Sequence, residues 1–506
     1  GVGDLNEVHR METFDMDATN GFLDSKWYHL YCSVQRCNSA LRVLNAATDE
    51  QVNGRVSRIA EMKVLRAHYY FELSRLFNKI PYFDENVEIS QYPDIPNNEF
   101  TRDEILSMLA EEMLDAAEQL PASQPEVGRI HKYIALAYAA KIKLYQAYQQ
   151  DETTHAVTSI NKELLREVVS LCDQVTASNR YGLLDDFQGL DLVANENGKE
   201  SVFAIQYSMN DGTESAGRIN WSNLLNSPGG GSPYGGDGFF LPSQDLINAY
   251  QTDANGLPDF NYQSKSDYSW AVLNNGVYTL QNTTPNVDPR LDFVVGRPTI
   301  TWKTYPDKPC EGWVRDKETY GYNCAKRFWV SPESSDMFNG WPWGASQLNW
   351  QIIRYADILL WKAEALIELN EGNGLETARD LINQIRNRAR NSAYVKDFND
   401  HSKYAANYLV NPYPADVWNQ DYARQALRWE TRLEKALEGE RFFDLVRWGI
   451  VETTMNKYIT AESDNRIYYA NAHFTGGKDE YYPVPNNQYG FSGGKYVQNP
   501  GYAPFN

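Results

Sequence analysis

Apolar residues recur at intervals of three and four along both ends of the chain and lose that rhythm between them. Residues 27–46, WYHLYCSVQRCNSALRVLNA, place Trp27, Leu30, Tyr31, Val34, Cys37 and Leu41 on one helical face. Residues 55–77 repeat the pattern through Ile59, Met62, Leu65, Tyr69 and Leu73. In EFTRDEILSMLAEEMLDAAEQLP, Thr101 followed three positions later by Glu104 predicts a capping box, and Pro121 ends the helix. A fourth helix is predicted in GRIHKYIALAYAAKIKLYQAYQ, where small Ala135, Ala139 and Ala140 allow a neighbouring helix to approach closely. Short connections make these helices antiparallel neighbours. Large rings facing alanines follow the logic of tetratricopeptide-like helix pairs, although the period is irregular.

Helical rhythm returns at Trp350 in WQIIRYADILLWKAEALIELNEG, with Gly372 as its predicted C-cap, and continues in LETARDLINQIRNRAR as an antiparallel partner. The block 426–449, ALRWETRLEKALEGERFFDLVRWG, reads as helical, and the chain from about 457 reads as loop. Between 180 and 349 Gly, Pro, Asn, Ser and Asp dominate, as in NSPGGGSPYGGDG at 226–238, with short β-like runs such as SVFAIQY at 201–207. A loop region this long within a compact chain usually carries function. The expected architecture is one mainly α domain over 1–506, with N-terminal helix pairs in 1–179, a loop-rich, partly β lobe in 180–349, C-terminal helix pairs in 350–456 and a loop-like tail in 457–506.

Composition narrows the partners. The chain is 42% hydrophobic and 23% charged, too apolar for disorder. Its formal charge of −20 disfavours phosphate backbones, and no basic run reverses this locally, so nucleic acid is excluded as a partner. Aromatics reach 13%, with 34 Tyr and 13 Trp, the residues that suit wet binding surfaces. None of the five cysteines has paired zinc spacing; Cys310 and Cys324 bracket a turn-rich loop, where a disulfide and free thiols are equally compatible with the sequence. No apolar run approaches the ~20 residues of a membrane helix.

Catalytic motifs are missing. The seven His form no HExxH, no GxSxG occurs, and the glycines at 229–231 lack both the phosphate-loop pattern and a dinucleotide-binding context. A glycoside hydrolase needs two positioned carboxylates, and no Asp or Glu stands in a recognisable motif. The expectation is a non-enzyme without a cofactor. The acidic loop SPESSD at 331–336 lacks the alternation of an EF-hand, which leaves calcium an open but unsupported alternative.

Several stretches together resemble the SusD/RagB family of surface glycan-binding lipoproteins of Bacteroidetes outer membranes. They are RIAEMKVLRAHYYFELSRLFNKIPYF with Glu61, Arg66, Ala67, Tyr69, Tyr70, Phe71, Phe77 and Pro81; FLPSQDLINAYQTDANGLPD at 240–259; DPRLDFVVGRP at 288–298; IIRYADILLWKAEALIELN at 352–370; RLEKALEGERFFDLVRWG at 432–449; and the closing PVPNNQ and QNPGY. The resemblance covers nearly the whole chain. It implies a SusD-like fold of about four tetratricopeptide-like helix pairs packed against a loop-rich, partly β lobe. It also implies capture of an oligo- or polysaccharide, and delivery to a SusC-like TonB-dependent transporter across an interface above roughly 2,000 Å². It further implies a surface-exposed outer-membrane location through an N-terminal lipid upstream of residue 1. The signature residues themselves read as scaffold: Tyr355, Ile358, Leu359 and Ala363 as a core stripe, Arg354 with Glu364 and Arg441 with Asp444 as partners. The alternatives are a helical-repeat adaptor for peptide or protein, and an unrecognised glycoside hydrolase.

Sugars present flat C–H faces that a Trp or Tyr ring can cover, while amides and charged groups bond the hydroxyls. GWPWGASQLNW at 340–350 sets Trp341 and Trp343 in a Gly/Pro loop, with Asn339, Gln347 and Asn349 as hydrogen-bonding neighbours; Trp350 reads as the buried start of a helix. EGWVRDKETYGYN adds Trp313, Tyr320 and Tyr322 with Arg315 and Asp316. Trp302, Trp270, Trp221 and Tyr234 are further candidates, and Trp27 belongs to the first helix pair. Each ring alone equally suits a cluster plugged beneath a loop. The ligand-binding set is Trp341, Trp343, Trp313, Tyr320, Trp302, Asn339 and Arg315, on loops 300–349 and 221–240.

Overall fold

A computed structural model describes residues 5–505, apart from 214–216, 222–225, 227–228, 230, 270, 275–276, 281–284, 304–311 and 341–343. The chain divides into two compact units, one of Gly1–Asn179, Phe442–Lys457 and Asn471–Asn506, the other of Arg180–Arg441 and Tyr458–Ala470. In chain order the first stretch holds α1 (Asn6–Glu12), α2 (Gly21–Ala46), α3 (Arg55–Phe77), α4 (Arg102–Gln119), α5 (Lys132–Ala147), the hairpin β1 (Tyr148–Gln150) and β2 (Val157–Ile160), and α6 (Lys162–Ala177). The second holds β3 (Ser201–Ile205), α7 (Gln244–Ala249), the hairpin β4 (Ala271–Asn274) and β5 (Val277–Leu280), α8 (Arg290–Val294), β6 (Val295–Gly296), α9 (Lys317–Tyr320), β7 (Cys324–Ala325), β8 (Trp350–Arg354), α10 (Tyr355–Leu369), α11 (Gly374–Asn391) and α12 (Gln420–Glu434). The last elements are α13 (Arg441–Arg447), α14 (Val451–Glu462) and α15 (Asn486–Phe491).

In the first unit α2 to α6 pack in succession, each on the next. The Thr101–Glu104 capping box forms: Glu104 N donates to Thr101 Oγ1 at 3.3 Å and Thr101 N to Glu104 Oε2 at 2.8 Å. On α3 Ala60, Val64, Ala67 and Phe71 form a fully buried stripe; of the larger residues expected to face inward Leu73 is buried, while Ile59, Met62, Leu65 and Tyr69 are half-buried. Small Ala60 and Ala67 alternate with larger Val64 and Phe71 on that face. Arg66, 3% exposed, binds Glu85, Glu112 and the Asn38 Oδ1.

In the second unit α10, α11 and α12 share an apolar core with Leu359, Ala363, Ile382, Ile385 and Leu427 at its centre. Trp350 does not start a helix. It opens β8, which runs antiparallel to β3 with Ile205 opposite Trp350 and Ser201 opposite Arg354. The run Trp350-Gln-Ile-Ile has strand character, and the helix begins only where Arg354 N finds the Asp357 carboxylate at 2.8 Å. The left-handed residue ending α10 is Asn370, at φ 51°, not Gly372. The block expected to be helical through 426–449 breaks after Glu434, with Leu437 at φ 67° and Gly439 at φ 80°. The tail expected to be loop carries α15 and the end of α14.

The charged signature residues of this unit form one buried network. Arg290 binds Asp288, Glu430 and Glu434; Arg386 binds Glu430; Arg354 binds Glu200, Glu434 and Glu438; Arg388 binds Glu200 and Glu434; Lys435 binds Asp357 and Glu438. Against the pull of burial, Arg388, Arg354 and Arg290 hold the Glu434 carboxyl down at about 2. Asp444 pairs with Arg447 at 2.9 Å, and Arg441 Nη1 donates to the Arg428 carbonyl at 3.4 Å.

Candidate glycan-contact loops

The second unit's loops meet over a cluster of rings. Trp302, Trp313, Trp329 and Tyr234 are buried together with Val314 and Cys324. Trp302 and Trp313 centroids are 5.0 Å apart at 67°, and Tyr234 lies 5.0 Å from Trp329. The polar tips are used internally: Trp302 Nε1 donates to Tyr234 Oη at 2.9 Å, and Tyr234 Oη donates to the Val330 carbonyl at 2.6 Å. Gly344, at φ 73°, is required twice over, because a Cβ there would meet Trp329 Cζ3 at 2.8 Å.

Trp302 at 0%, Trp313 at 2% and Tyr234 at 1% exposure are therefore not open platforms for a ligand. Rings of this size in a wet lobe supply most of its apolar area, so they turn inward and become its floor. Trp329 belongs to the same floor and was not singled out by any sequence pattern. Cys324 is a buried free thiol donating to the Gly296 carbonyl at 3.7 Å. Cys310, Trp270, Trp341 and Trp343 lie outside the described residues.

Two loops share one seam. Asn220 N donates to Ser346 O at 2.8 Å, and Ser346 also bridges Met337. Phe338 N donates to Ala345 O at 2.7 Å. The seam brings the neighbourhoods of Trp221 and Asn339 together; Trp221 is 45% exposed and Asn339 is exposed. Arg315, also exposed, donates from Nη2 to the Gly236 carbonyl at 2.8 Å and reaches Asp237 at 3.3 Å, so the loops 221–240 and 300–349 do converge. Tyr320 and Tyr322 are half-buried; Tyr320 packs on the floor and 5.9 Å from Tyr468. Phe240, 47% exposed at φ 59°, joins the exposed rings; its orientation depends on a left-handed backbone that sequence does not announce.

Gln347 and Asn349 are scaffold rather than ligand groups. Gln347 Nε2 donates to Asp336 Oδ1 at 2.8 Å, and Asn349 Oδ1 accepts from Tyr207 N at 2.7 Å. Trp350 is half-buried with its ring 4.6 Å from Phe328. Asn349 N donates to Glu196 Oε1 at 2.5 Å; burial, reinforced by the charge of Asp336, nevertheless pushes the Glu196 carboxyl up to about 7.

The family model described as the SusD family matches residues 199–502, more than half the chain. The chain belongs to the SusD family. A second family model, described as starch-binding associating with outer membrane, matches residues 4–144. A SusD-like protein of Bacteroides ovatus is 22% identical over 475 residues, spanning 88% of this chain and 70% of the relative. SusD-like protein P2 of Formosa agariphila is 24% identical, spanning 99% and 85%. Among solved structures, a SusD superfamily protein from Bacteroides vulgatus superposes with a TM-score of 0.71 at 21% identity, covering 99% of this chain and 90% of its own. Surface glycan-binding protein A from Bacteroides thetaiotaomicron, in complex with laminarihexaose, superposes with a TM-score of 0.61 at 19% identity and the same coverage. The fold of this SusD family member is the mainly α SusD fold.

Proposed function

We propose that this SusD family member captures a neutral oligo- or polysaccharide on the loops 221–240 and 300–349, without cleaving it. The observation that carries the reading is that Trp221 and Phe240 stay exposed on converging loops whose other large rings, Trp302, Trp313, Trp329 and Tyr234, are buried together. Rings held on stiff loops cover sugar faces with little ordering entropy to lose. Arg315, Asp316, Asp237 and Asn339 are exposed around them as hydroxyl partners. Trp341 and Trp343, close in sequence to the Phe338–Ala345 pair, extend the proposed set. The acidic chain disfavours polyanionic glycans. Family membership supports the reading, as does a similar structure described as a laminarin-binding SusD-like protein, of TM-score 0.61.

By the same membership, the protein hands its glycan to a SusC-like TonB-dependent transporter and is held at the outer face of the outer membrane. A glycan array followed by calorimetry tests the binding, comparing wild type with Trp221→Ala, Trp341→Ala and Trp343→Ala, each checked by thermal melting. Normal melting with unchanged affinity in all three would remove the site. Shortening of the glycan during the assay would return a hydrolase. Purification from native outer membranes without any co-eluting barrel would remove the transporter.

A further inference from the structure

The second unit holds a cavity of about 870 Å³, within the range of roughly 300–1,000 Å³ usual for small-molecule sites. Its walls come from the stretch between 184 and 199 ahead of β3, Phe293 of α8, and the stretch between 393 and 401 beyond α11. Thr301 and Lys303 also line it, while Trp302 between them is buried in the ring cluster. The cavity takes neither of the exposed rings Trp221 and Phe240.

Part of the lining is apolar and open to water. Phe187 and Phe293, stacked with centroids 5.8 Å apart, are buried in the wall. Leu184 and Tyr394 are half-buried beside the cavity, and Leu192 is 55% exposed. The remaining lining gathers charge. Among the described residues it carries four lysines, Lys199, Lys303, Lys326 and Lys396, and three aspartates, Asp185, Asp186 and Asp191. That is a positive excess in a chain of formal charge −20. Each aspartate is engaged within the fold. Asp185 meets Lys199 at 2.9 Å, Asp191 meets Lys303 at 2.8 Å, and Asp186 accepts the main-chain N–H groups of Gln188 at 2.9 Å and Ala393 at 3.2 Å.

Lys303 is the unusual residue. Its φ is 47°, a left-handed backbone that lysine seldom adopts, and strain of this kind collects at ligand sites. It is half-buried, and Asp191 takes one of the three donors of its ammonium. Burial lowers its pKa against the pull of Asp191, and a second anion beside it would favour the charged form. Lys396 is exposed, with Nζ 3.9 Å from the centre of the Tyr404 ring. Lys326 is buried and donates to the Asp292 and Thr301 carbonyls, so it supplies charge rather than contact. We infer that this cavity binds a small monoanion with a flat apolar face, a carboxylate carried on a six-membered ring. The ring would lie against Leu184, Leu192 and Tyr394, and the carboxylate would meet Lys303 and Lys396. One negative charge suits the local excess, whereas a polyanion would still face the acidic surface.

The test uses the whole chain with two acids as probes, benzoate for an aryl source and glucuronate for a sugar source. Each is paired with its own amide, and sulfate serves as an anion without a ring. Binding is read by saturation-transfer NMR and calorimetry. Lys303→Gln removes one anchor; Lys396→Gln and Leu192→Asp change exposed positions, so both should melt as wild type does. The expected result is that at least one acid binds about tenfold or more tightly than its amide and is weakened about fivefold or more by each variant. Whichever acid binds better identifies the source. Any of four results would overturn the inference: neither acid binds; an amide binds as tightly as its acid; sulfate binds as tightly as either acid; or Lys396→Gln and Leu192→Asp, both folded, bind the acids as wild type does. These small probes report on the cavity whether or not a polymer binds at Trp221, so the two readings can fail separately.

Discussion

Two regions of the second unit keep their shape by opposite means. The core of α10, α11 and α12 is pinned by buried ion pairs in which Glu434 is shared by Arg290, Arg354 and Arg388. The lobe under residues 221–349 is pinned by rings whose polar tips meet one another, as Trp302 meets Tyr234. A buried ion network is strict: each member is costly without its partners, and none can be left exposed to a ligand. A ring cluster is tolerant, because it fixes only what lies beneath and leaves the loop ends above free to carry chemistry. Signature residues such as Arg290, Arg354 and Glu434 belong to the first region, and the proposed glycan contacts lie on the loops of the second.

The largest expected effect comes from breaking the strict region. Glu434→Ala removes a shared carboxylate from Arg290, Arg354 and Arg388 and should cost about 3–5 kcal/mol in chemical denaturation. A loss below about 1 kcal/mol would mean that the network is not what distinguishes the helix core. Next, Trp302→Ala should cost about 3 kcal/mol by leaving a cavity in the ring floor; a variant melting like wild type would show that the floor is not load-sharing at all.

Acid should separate the two regions by sign. Glu434 titrates at about 2 in the folded protein, below its ordinary 4.5, so its contribution is fully present above about 4.5 and is lost as pH falls through 2. Glu196 titrates at about 7, above 4.5, so the folded protein binds its proton more tightly than the unfolded chain does. Its effect is favourable below about 4.5 and is lost as pH rises through 7. For this half-buried group the change is ~1–2 kcal/mol after solvent screening. Glu196→Gln should flatten the stability profile between pH 4.5 and 7 and leave the acid limb unchanged; an unaltered profile in that window would assign the loss elsewhere. The smallest change in stability belongs to Trp221→Ala, within about 0.5 kcal/mol. Its glycan affinity should nevertheless fall by ~1–2 kcal/mol, about 5–30-fold. Equal losses in melting and binding would make Trp221 part of the floor.

The helix core was legible because its signals are local. Thr101 and Glu104 cap a helix from three residues apart, and Leu359 and Ala363 lie one turn apart on a buried face. Where the reading slipped, the deciding contact was distant in sequence. Trp350 is a strand residue because Ile205 lies opposite it, and the helix block 426–449 breaks where Lys435 and Glu438 turn to meet Asp357 and Arg354. The loops proposed to bind glycan were legible only in outline. The convergence of 221–240 with 300–349 holds, through Asn220 with Ser346 and Arg315 with Gly236. Which tryptophans face out was not readable, since Trp302, Trp313 and Trp221 have similar neighbours in the chain and only packing against Tyr234 and Trp329 sorts them.

Ser346 is held on one side by Asn220 and on the other by Met337. Whatever happens at the ends of those two loops, their roots are stitched into fixed register by main-chain pairs that ask nothing of side-chain identity. Sequence drift at the loop ends can thus proceed without disturbing where the loops begin. A lineage can retool what such a surface grips through substitutions and small insertions beyond the stitch, while the scaffold below goes on folding as before.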